Sequence, residues 1–239
     1  MSKRKSESRF PLFARIQPPG GTTGISPQAV GGRRKRAFDL VVALPLTILL
    51  LPVMVGIAIW VRRDSPGPAL FRQRRVGLHG REFNLLKFRT MVVGAQSMGA
   101  GLAVTEDDPR ITRAGHILRR LSLDELPQLL NVVAGSMSLV GPRPTVAHQV
   151  VRYDARQRGR LRARPGITGL AQVTGRAAIP WSERIEIDLR YIARWSMWRD
   201  LAILARTALV ILRRDGTYKG ATGGFDLPER GTEGGGSAG

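Results

Sequence analysis

The sequence contains no cysteine, and it is poor in aromatic and acidic residues. Without cysteine, neither a disulfide framework nor a thiolate metal site is possible. The 18 acidic residues stand against 38 lysines and arginines, which gives a formal charge of +20 over 239 residues. A field of this sign attracts polyanions. Nucleic acid, an anionic membrane face and phosphorylated small molecules all remain open as partners from composition alone.

Two terminal segments lack any helical or strand period. Residues 1–32 are basic and then rich in Pro, Gly and Thr, and residues 216–239 are rich in Gly, Thr and Ser. Such compositions are typical of disordered tails. The remainder is long enough for one ordinary domain. We therefore predict disordered tails around a membrane segment at 33–63 and one domain at 64–215.

Residues 40–61 form an uninterrupted run without charged side chains. As a helix the run would be about 33 Å long, enough to cross a hydrocarbon core. Cations flank both ends, at residues 33–36 and at Arg62 and Arg63, whereas a spanning helix usually has them on the cytoplasmic side only. Pro52 lies near the centre and interrupts backbone hydrogen bonding. A re-entrant hairpin and a single span both remain open from the residues.

The segment after the apolar run changes to a period of two. Residues 69–76 and 81–89 flank the loop at 77–80, which predicts a β-hairpin. Side chains alternate along a strand, so Lys87 and Arg89 are expected to share one face. Two cations on a rigid face suit a phosphate, although a solvated cationic strand is the alternative.

Four further segments have the apolar spacing of helices: residues 112–121, 123–133, 181–195 and 201–212. Together with the hairpin they predict an α+β fold that is mostly helical, with amphipathic helices at the membrane interface. Trp195 and Trp198 suit either the headgroup level of a membrane or the protein core.

Two adjacent carboxylates, Asp124 and Glu125, follow the cations Arg119 and Arg120. One interpretation is structural, because Ser122 followed by Glu125 forms a capping box at a helix start. The other is catalytic. A positively polarised helix start would keep Asp124 ionised and nucleophilic, and a carboxylate can form a covalent phosphoryl adduct. Glu125 could then hold Mg²⁺ together with substrate phosphates.

Two later loops add fixed cations. Arg143 stands between Pro142 and Pro144, which hold its backbone extended. The glycine-rich stretch at 164–169 leads on to Arg176, and backbone amides in such loops can bind phosphates.

Several short motifs occur in a fixed order: Phe38-Asp39-Leu40, Lys87-Phe88-Arg89-Thr90-Met91, Leu123-Asp124-Glu125-Leu126-Pro127-Gln128, Asn131-Val132, Val140-Gly141-Pro142-Arg143-Pro144 and Arg164-Pro165-Gly166-Ile167-Thr168-Gly169. Together they resemble the monotopic polyprenyl-phosphate phosphoglycosyl transferases, the bacterial sugar transferases that start exopolysaccharide, O-antigen and glycoprotein glycan assembly. The similarity extends over residues 36–214. Ser136 stands where the family usually has aspartate, and Leu51 replaces a serine that often precedes the hinge proline.

The resemblance implies specific roles. Asp124 is the covalent nucleophile, and Glu125 holds Mg²⁺ together with Asp124. The helix bends back at Pro52. Substrate binding is implied for six residues: Lys87, Arg89, Arg119, Arg143, Arg176 and Asp188.

The implied reaction moves a phospho-sugar from a UDP-sugar to undecaprenyl phosphate and releases UMP. It implies a catalytic domain on the cytoplasmic face of the bacterial inner membrane, in contact with anionic lipids; no nucleic acid partner is expected, and self-association stays open. Two other classes remain: a non-catalytic basic membrane protein, and an enzyme that transfers only the sugar and releases UDP.

Overall fold

The computed structural model describes residues 29–98, 107–174, 179–212 and 227. The fold is mostly helical with two small sheets and one long apolar helix, which confirms the predicted class at this level. The helices are α1 Gly32–Asp64, α2 Arg113–Arg120, α3 Gln128–Val133, α4 Ala147–Val150, α5 Leu170–Thr174, α6 Trp181–Ala193 and α7 Met197–Leu212. The strands are β1 Leu70–Val76, β2 Glu82–Phe88, β3 Ser138–Val140 and β4 Gly166–Thr168.

Helix α1 has 33 residues and contains Pro45 and Pro52. Among the described residues it is the one helix whose length and composition would let it cross a membrane. Its apolar side chains are exposed on the side away from the domain, for example Val41 and Leu49, which are 71% and 73% exposed. Such a surface is unfavourable in water and is consistent with membrane association of α1.

Both halves of α1 pack on the same domain. Ala43, in the first half, belongs to a buried cluster that includes residues of α3 and β3. Met54, Ile57 and Val61, in the second half, belong to another cluster with residues of α2 and β2. Pro52 falls between the two contact regions.

The predicted hairpin is present. Strands β1 and β2 pair antiparallel, from Leu70 opposite Phe88 to Val76 opposite Glu82, and a short 3₁₀ turn closes the loop. Phe71 lies opposite Lys87. Because side chains alternate along each strand, Lys87 and Arg75 share one face of the hairpin.

The glycine-rich stretch at 164–169 forms part of a second sheet. Strand β4 pairs parallel with β3, and the Gly141 amide donates to the carbonyl of Thr168 at 2.8 Å. A Cβ on Gly166 would lie 2.1 Å from the Gly141 nitrogen, and one on Gly169 would lie 2.2 Å from the Gly141 carbonyl oxygen. These glycines are required for close backbone approach.

The predicted helix at 123–133 is interrupted. Residues Leu123–Glu125 form a 3₁₀ turn, and α3 begins at Gln128. Pro127 has no N–H to donate, which disfavours a continuous helix through this position. The capping box is also wrong: Ser122 has a left-handed backbone with φ of 56°, and its side chain makes no cap hydrogen bond.

The remaining helices agree more closely with the prediction. Helix α2 begins after Thr112, whose hydroxyl accepts a hydrogen bond from the Gly115 amide. Helix α7 begins at Met197, four residues earlier than predicted. Trp195 is half-buried and donates to Asp200, whereas Trp198 is 80% exposed.

Most of the two predicted tails lies outside the described residues. Leu227 is described. It is buried in a separate hydrophobic cluster, called here the second core, with Val76, Val150, Tyr153, Trp181 and Ile185.

Candidate active site

Asp124 and Glu125 lie on the 3₁₀ turn between α2 and α3. The leucines on either side of them, Leu123 and Leu126, pack against a cluster that combines residues of α1, α2 and β2. The two carboxylate side chains are only 13% and 20% exposed. The turn therefore holds two adjacent acids in a largely desolvated position.

Lys87 joins the two carboxylates. Its Nζ donates to Glu125 Oε1 at 2.6 Å and lies 3.7 Å from Asp124 Oδ2. Arg143 Nη2 donates to the same Glu125 oxygen at 2.9 Å. Lys87 and Arg143, which are distant in sequence, thus meet at the acidic pair.

The pKa values of the two acids are shifted in opposite directions. Burial raises the pKa of Asp124, and Lys87 is the main influence that opposes this rise. Burial would also raise the pKa of Glu125, but Lys87 and Arg143 together hold it well below its usual range. The sequence predicted that a helix start would keep Asp124 ionised. However, α3 begins only at Gln128, and the charge that lowers the pKa of Asp124 most is that of Lys87.

Arg75 is a further cation that the sequence did not single out. It lies on the same hairpin face as Lys87, and its guanidinium donates to Gln73 Oε1 and to the Pro144 carbonyl. Burial lowers the pKa of Arg75 to about 10, and nearby Arg143 acts in the same direction. The alternation of side chains along β1 could have identified Arg75, because it places the other two arginines of the strand on the opposite, exposed face.

Arg119 contacts the segment that follows the hairpin. Its Nε donates to Thr90 Oγ1 at 2.9 Å, and its charge lowers the pKa of Asp124. The structure therefore places Arg119 near the dyad.

Arg89 occupies a different position from the one predicted. Its guanidinium is buried and donates to the carbonyls of Val61, Ser65 and Pro66. Carbonyls at a helix C-terminus lack partners within the helix, so a cation there is favourable. Arg89 thus caps α1, and the predicted pairing with Lys87 at one phosphate-binding face is not what the structure shows.

Asp188 reaches the site only indirectly. Its Oδ2 accepts from Arg160 Nε at 2.7 Å, and both side chains are buried. Arg160 Nη2 donates to the main-chain carbonyl of Arg143 at 2.8 Å, and Nη1 donates to Tyr153 Oη at 3.0 Å. Asp188 therefore supports the loop of Arg143, and Arg160, which the sequence reasoning missed, connects them.

Asn131 connects the hairpin to α3. Its Oδ1 accepts from the Leu86 amide, and its Nδ2 donates to the Asn84 carbonyl. Ser136, which departs from the family pattern, exchanges hydrogen bonds with Asn131. The serine thus closes the end of α3 locally.

The donor set at the dyad suits a hard cation. Within the described parts of the chain, no group of three or more His, Asp and Glu side chains comes together. Mg²⁺, however, is commonly held by one or two carboxylates together with substrate phosphates and water. Both described hydrogen bonds to Glu125 fall on Oε1, and two carboxylates are adjacent, so the residues fit such an ion. Arg176, another predicted substrate contact, lies outside the described residues.

Comparison with known proteins decides the family. Residues 31–214 match the sequence profile described as bacterial sugar transferase. This chain belongs to that family. The match covers every described element from α1 to α7.

Three relatives illustrate the similarity of this sugar transferase to curated proteins. It is 45% identical to the "UDP-galactose-lipid carrier transferase" of Erwinia amylovora and 43% identical to the "Undecaprenyl-phosphate galactose phosphotransferase" of Salmonella typhimurium. Each alignment covers 77% of this chain but 41% of the relative, so the chain spans about two fifths of their length. It is 46% identical to the "UDP-glucose:undecaprenyl-phosphate glucose-1-phosphate transferase" of Caulobacter vibrioides, over 84% of this chain and 76% of that protein.

Proposed function

We propose that this sugar transferase moves a phospho-sugar from a UDP-sugar to undecaprenyl phosphate and releases UMP, with Asp124 as covalent nucleophile. The observation that carries the proposal is the contact of Lys87 with both carboxylates of a buried Asp124–Glu125 pair. The names of the relatives support the same substrate class, because they specify UDP-sugars and undecaprenyl phosphate.

The first step is attack by a carboxylate oxygen of Asp124 on the sugar-bearing β-phosphorus. The new oxygen–phosphorus bond forms as the bond from that phosphorus to the bridging oxygen breaks, and UMP leaves with the bonding pair. Both reactants are anionic, so nearby cations must offset their repulsion. Lys87, Arg119 and Arg143 are available at the dyad for this purpose, and Arg75 lies beside them.

The second step returns the carboxylate. An oxygen of undecaprenyl phosphate attacks the phosphorus of the aspartyl adduct, the aspartyl–phosphorus bond breaks, and the polyprenyl diphosphate sugar leaves. No redox partner is needed, and the protein regains its starting state. The lipid phosphate stays near the headgroups, so this step requires a dyad close to the membrane face. The packing of Leu123 and Leu126 against a cluster that includes Met54, Ile57 and Val61 of α1 supports such a position.

Glu125 and Asp124 would hold Mg²⁺ together with the diphosphate of the donor. When bound, the ion would neutralise charge on the phosphates. Glu125 suits this role because Lys87 and Arg143 keep its carboxyl ionised.

Helix α1 is proposed to enter the cytoplasmic leaflet of the inner membrane and to return to the same face by bending at Pro52. Two observations support this topology. Both halves of α1 contact one domain, and the apolar side chains between them are exposed. A proline in a membrane helix is tolerated where freed carbonyls find partners. The cationic surface would add roughly 1 kcal/mol of attraction to anionic lipid for each nearby Lys or Arg.

The test supplies purified protein with Mg²⁺, undecaprenyl phosphate and a panel of UDP-sugars that includes UDP-glucose and UDP-galactose. Release of UMP is expected, and Asp124→Asn is expected to abolish it. Asp107→Asn is the matched control, because Asp107 is an exposed acid outside the site. Release of UDP would favour transfer of the sugar alone. Normal UMP release from Asp124→Asn would contradict the nucleophile assignment.

A further inference from the structure

The N-terminus of α2, which leads into the catalytic turn, is held by the end of α1. Asp64 Oδ2 accepts a hydrogen bond from the Ala114 amide at 3.0 Å. The first amides of a helix lack partners within the helix, and a negative charge is favourable there. Thr112, the helix's own cap, serves a different amide, that of Gly115. Asp64 is thus a second cap of α2, contributed by the last residue of α1.

The C-terminus of α3, which follows the catalytic turn, is held by the beginning of α1. Arg36 donates from Nη1 to the Val132 carbonyl at 2.5 Å and from Nη2 to the Val133 carbonyl at 2.8 Å. Gly135 ends the helix with φ of 85°, and a Cβ there would lie 3.4 Å from Arg36 Nη2. Arg36 therefore donates to the last two carbonyls of α3, of which that of Val132 also accepts from the Gly135 amide at 3.0 Å.

The catalytic turn lies against a cluster to which the second half of α1 contributes. Leu123 and Leu126, on either side of the dyad, pack against this cluster, which joins Met54, Ile57 and Val61 of α1 to Phe88 and Leu118. The first half of α1 packs instead against α3, through the cluster that contains Leu129 and Val132. Each half of α1 thus belongs to a different cluster beside the segment that carries Asp124 and Glu125.

Pro52 separates these two halves. It has no N–H to donate within the helix, so the angle between the halves is less constrained there than in an uninterrupted helix. A change of that angle would move the Asp64 cap and the Arg36 cap relative to each other. The catalytic turn lies between the two capped helices.

We propose that Arg36 and Asp64 are positioning residues that couple the bend of α1 to the geometry of the catalytic turn. Neither side chain touches the dyad among the described contacts; each acts through a helix terminus. Loss of either cap should loosen the turn and lower kcat, while the cations that bind the donor stay in place. This kinetic consequence rests on the proposed function, whereas the loosening of the turn does not.

The test uses full-length protein in bilayers of phosphatidylethanolamine and phosphatidylglycerol. Arg36→Ala and Asp64→Ala should raise hydrogen exchange of the amides at 121–126. They should lower kcat about tenfold or more, because small displacements of reacting groups are costly. KM for the UDP-sugar should change by less than about twofold, since binding that is common to ground and transition states is retained. Asp64→Asn keeps an acceptor for the Ala114 amide and should restore most of kcat.

Three controls separate positioning from a general loss of stability. Arg34→Ala and Asp107→Ala remove exposed charges of the same kinds and should leave exchange at 121–126 unchanged. Ile185→Ala creates a cavity in the second core, which contains no residue of α1. It should lower the melting temperature without a selective increase of hydrogen exchange at 121–126.

Bilayer thickness provides an independent readout, because a membrane helix adapts its tilt or bend to the local thickness. In the wild type, exchange at 121–126 should change with lipid acyl length; the Arg36→Ala, Asp64→Ala double variant should show little change. The proposal would be overturned if the single alanine variants exchanged the amides at 121–126 at the wild-type rate. It would also be overturned if exchange in the double variant changed with bilayer thickness as much as in the wild type. Absence of UMP release by the wild type would instead count against the proposed function. The hydrogen-exchange measurements would still test whether Arg36 and Asp64 couple the bend of α1 to the catalytic turn.

Discussion

At the scale of single residues, Lys87 determines how the two acids behave. It lies 2.6 Å from Glu125 Oε1 and 3.7 Å from Asp124 Oδ2, and all three side chains are largely buried. Burial of a carboxylate favours its neutral form, and a cation at this distance favours the charged form. A nucleophilic carboxylate must be ionised, so the proposed chemistry requires Lys87 as well as Asp124.

The buried pair of Asp188 and Arg160 should affect both stability and turnover. Asp188→Asn removes the charge that compensates Arg160, and loss of a buried partner typically costs about 3–5 kcal/mol. Because Arg160 also holds the Arg143 carbonyl, UMP release should fall too. Denaturant unfolding and nucleotide release would measure the two effects.

Glu186→Gln is the matched control for this prediction. Its partner Arg156 is 70% exposed, so the pair is screened by water and is worth less than about 1 kcal/mol. Equal destabilisation by the two substitutions would show that burial does not distinguish these ion pairs.

The pair of Asp108 and Arg110 should contribute to acid sensitivity. The hydrogen bonds from Arg110 lower the pKa of Asp108 to about 2, below the roughly 3.9 of an unfolded aspartate. A lowered folded pKa gives stability that is complete above the unfolded value and is lost as pH falls toward the folded one. The melting temperature of the wild type should therefore approach that of Asp108→Asn between about pH 4 and pH 2. A constant difference across this range would contradict the assignment.

Part of the site could be predicted residue by residue. Asp124 and Glu125 are adjacent in sequence, and Arg143 is marked by its flanking prolines, so their identities stand out. Arg75 and Arg160 could not be identified, because their relevance depends on which strand face turns inward and on which loop each guanidinium reaches.

At the scale of elements, close backbone contact between β3 and β4 supports the loop of Arg143. Gly141 lies between β3 and that loop, and its amide donates to Thr168. A Cβ on Gly166 or Gly169 would meet the Gly141 backbone, so the pairing of these two short strands depends on the glycines at the contact.

Gly166→Ala should be strongly destabilising. The new methyl group would lie 2.1 Å from the Gly141 nitrogen, and the backbone cannot easily move away. Overpacking of this kind costs about 1–3 kcal/mol. Gly56→Ala in α1 is the control, because nothing lies within 4 Å of the added carbon. Equal melting temperatures for the two variants would contradict the prediction.

The hairpin and the existence of most helices could be predicted from periodicity, because the alternation in 69–89 and the apolar spacing in 181–195 are local patterns. The break at 123–133 was missed although Pro127 is visible in the sequence, because the apolar spacing continues through it. The position of Arg89 required knowledge of where the end of α1 lies in space.

At the scale of the whole molecule, charge and apolar surface are both consistent with membrane association. The formal charge of +20 would favour an anionic leaflet, and α1 and Trp198 expose apolar surface that water does not favour. If α1 returns to the face that it entered, both of its ends lie on the domain side.

Topology can be tested with single cysteines, since the chain has none of its own. Arg34→Cys and Arg63→Cys place thiols at exposed positions at the two ends of α1. Both should react with an impermeant maleimide from the cytoplasmic side. Labelling from opposite sides would establish a spanning helix and contradict the bend at Pro52.

The covalent adduct on Asp124 provides the most direct test of the central claim. Protein loaded with a UDP-sugar and Mg²⁺, without undecaprenyl phosphate, should be quenched with acid, digested and examined by mass spectrometry. A phospho-sugar is expected on the peptide that contains Asp124, absent from Asp124→Asn and lost when undecaprenyl phosphate is added before quenching. If UMP is released while that peptide stays unmodified, the account of Asp124 as nucleophile is contradicted.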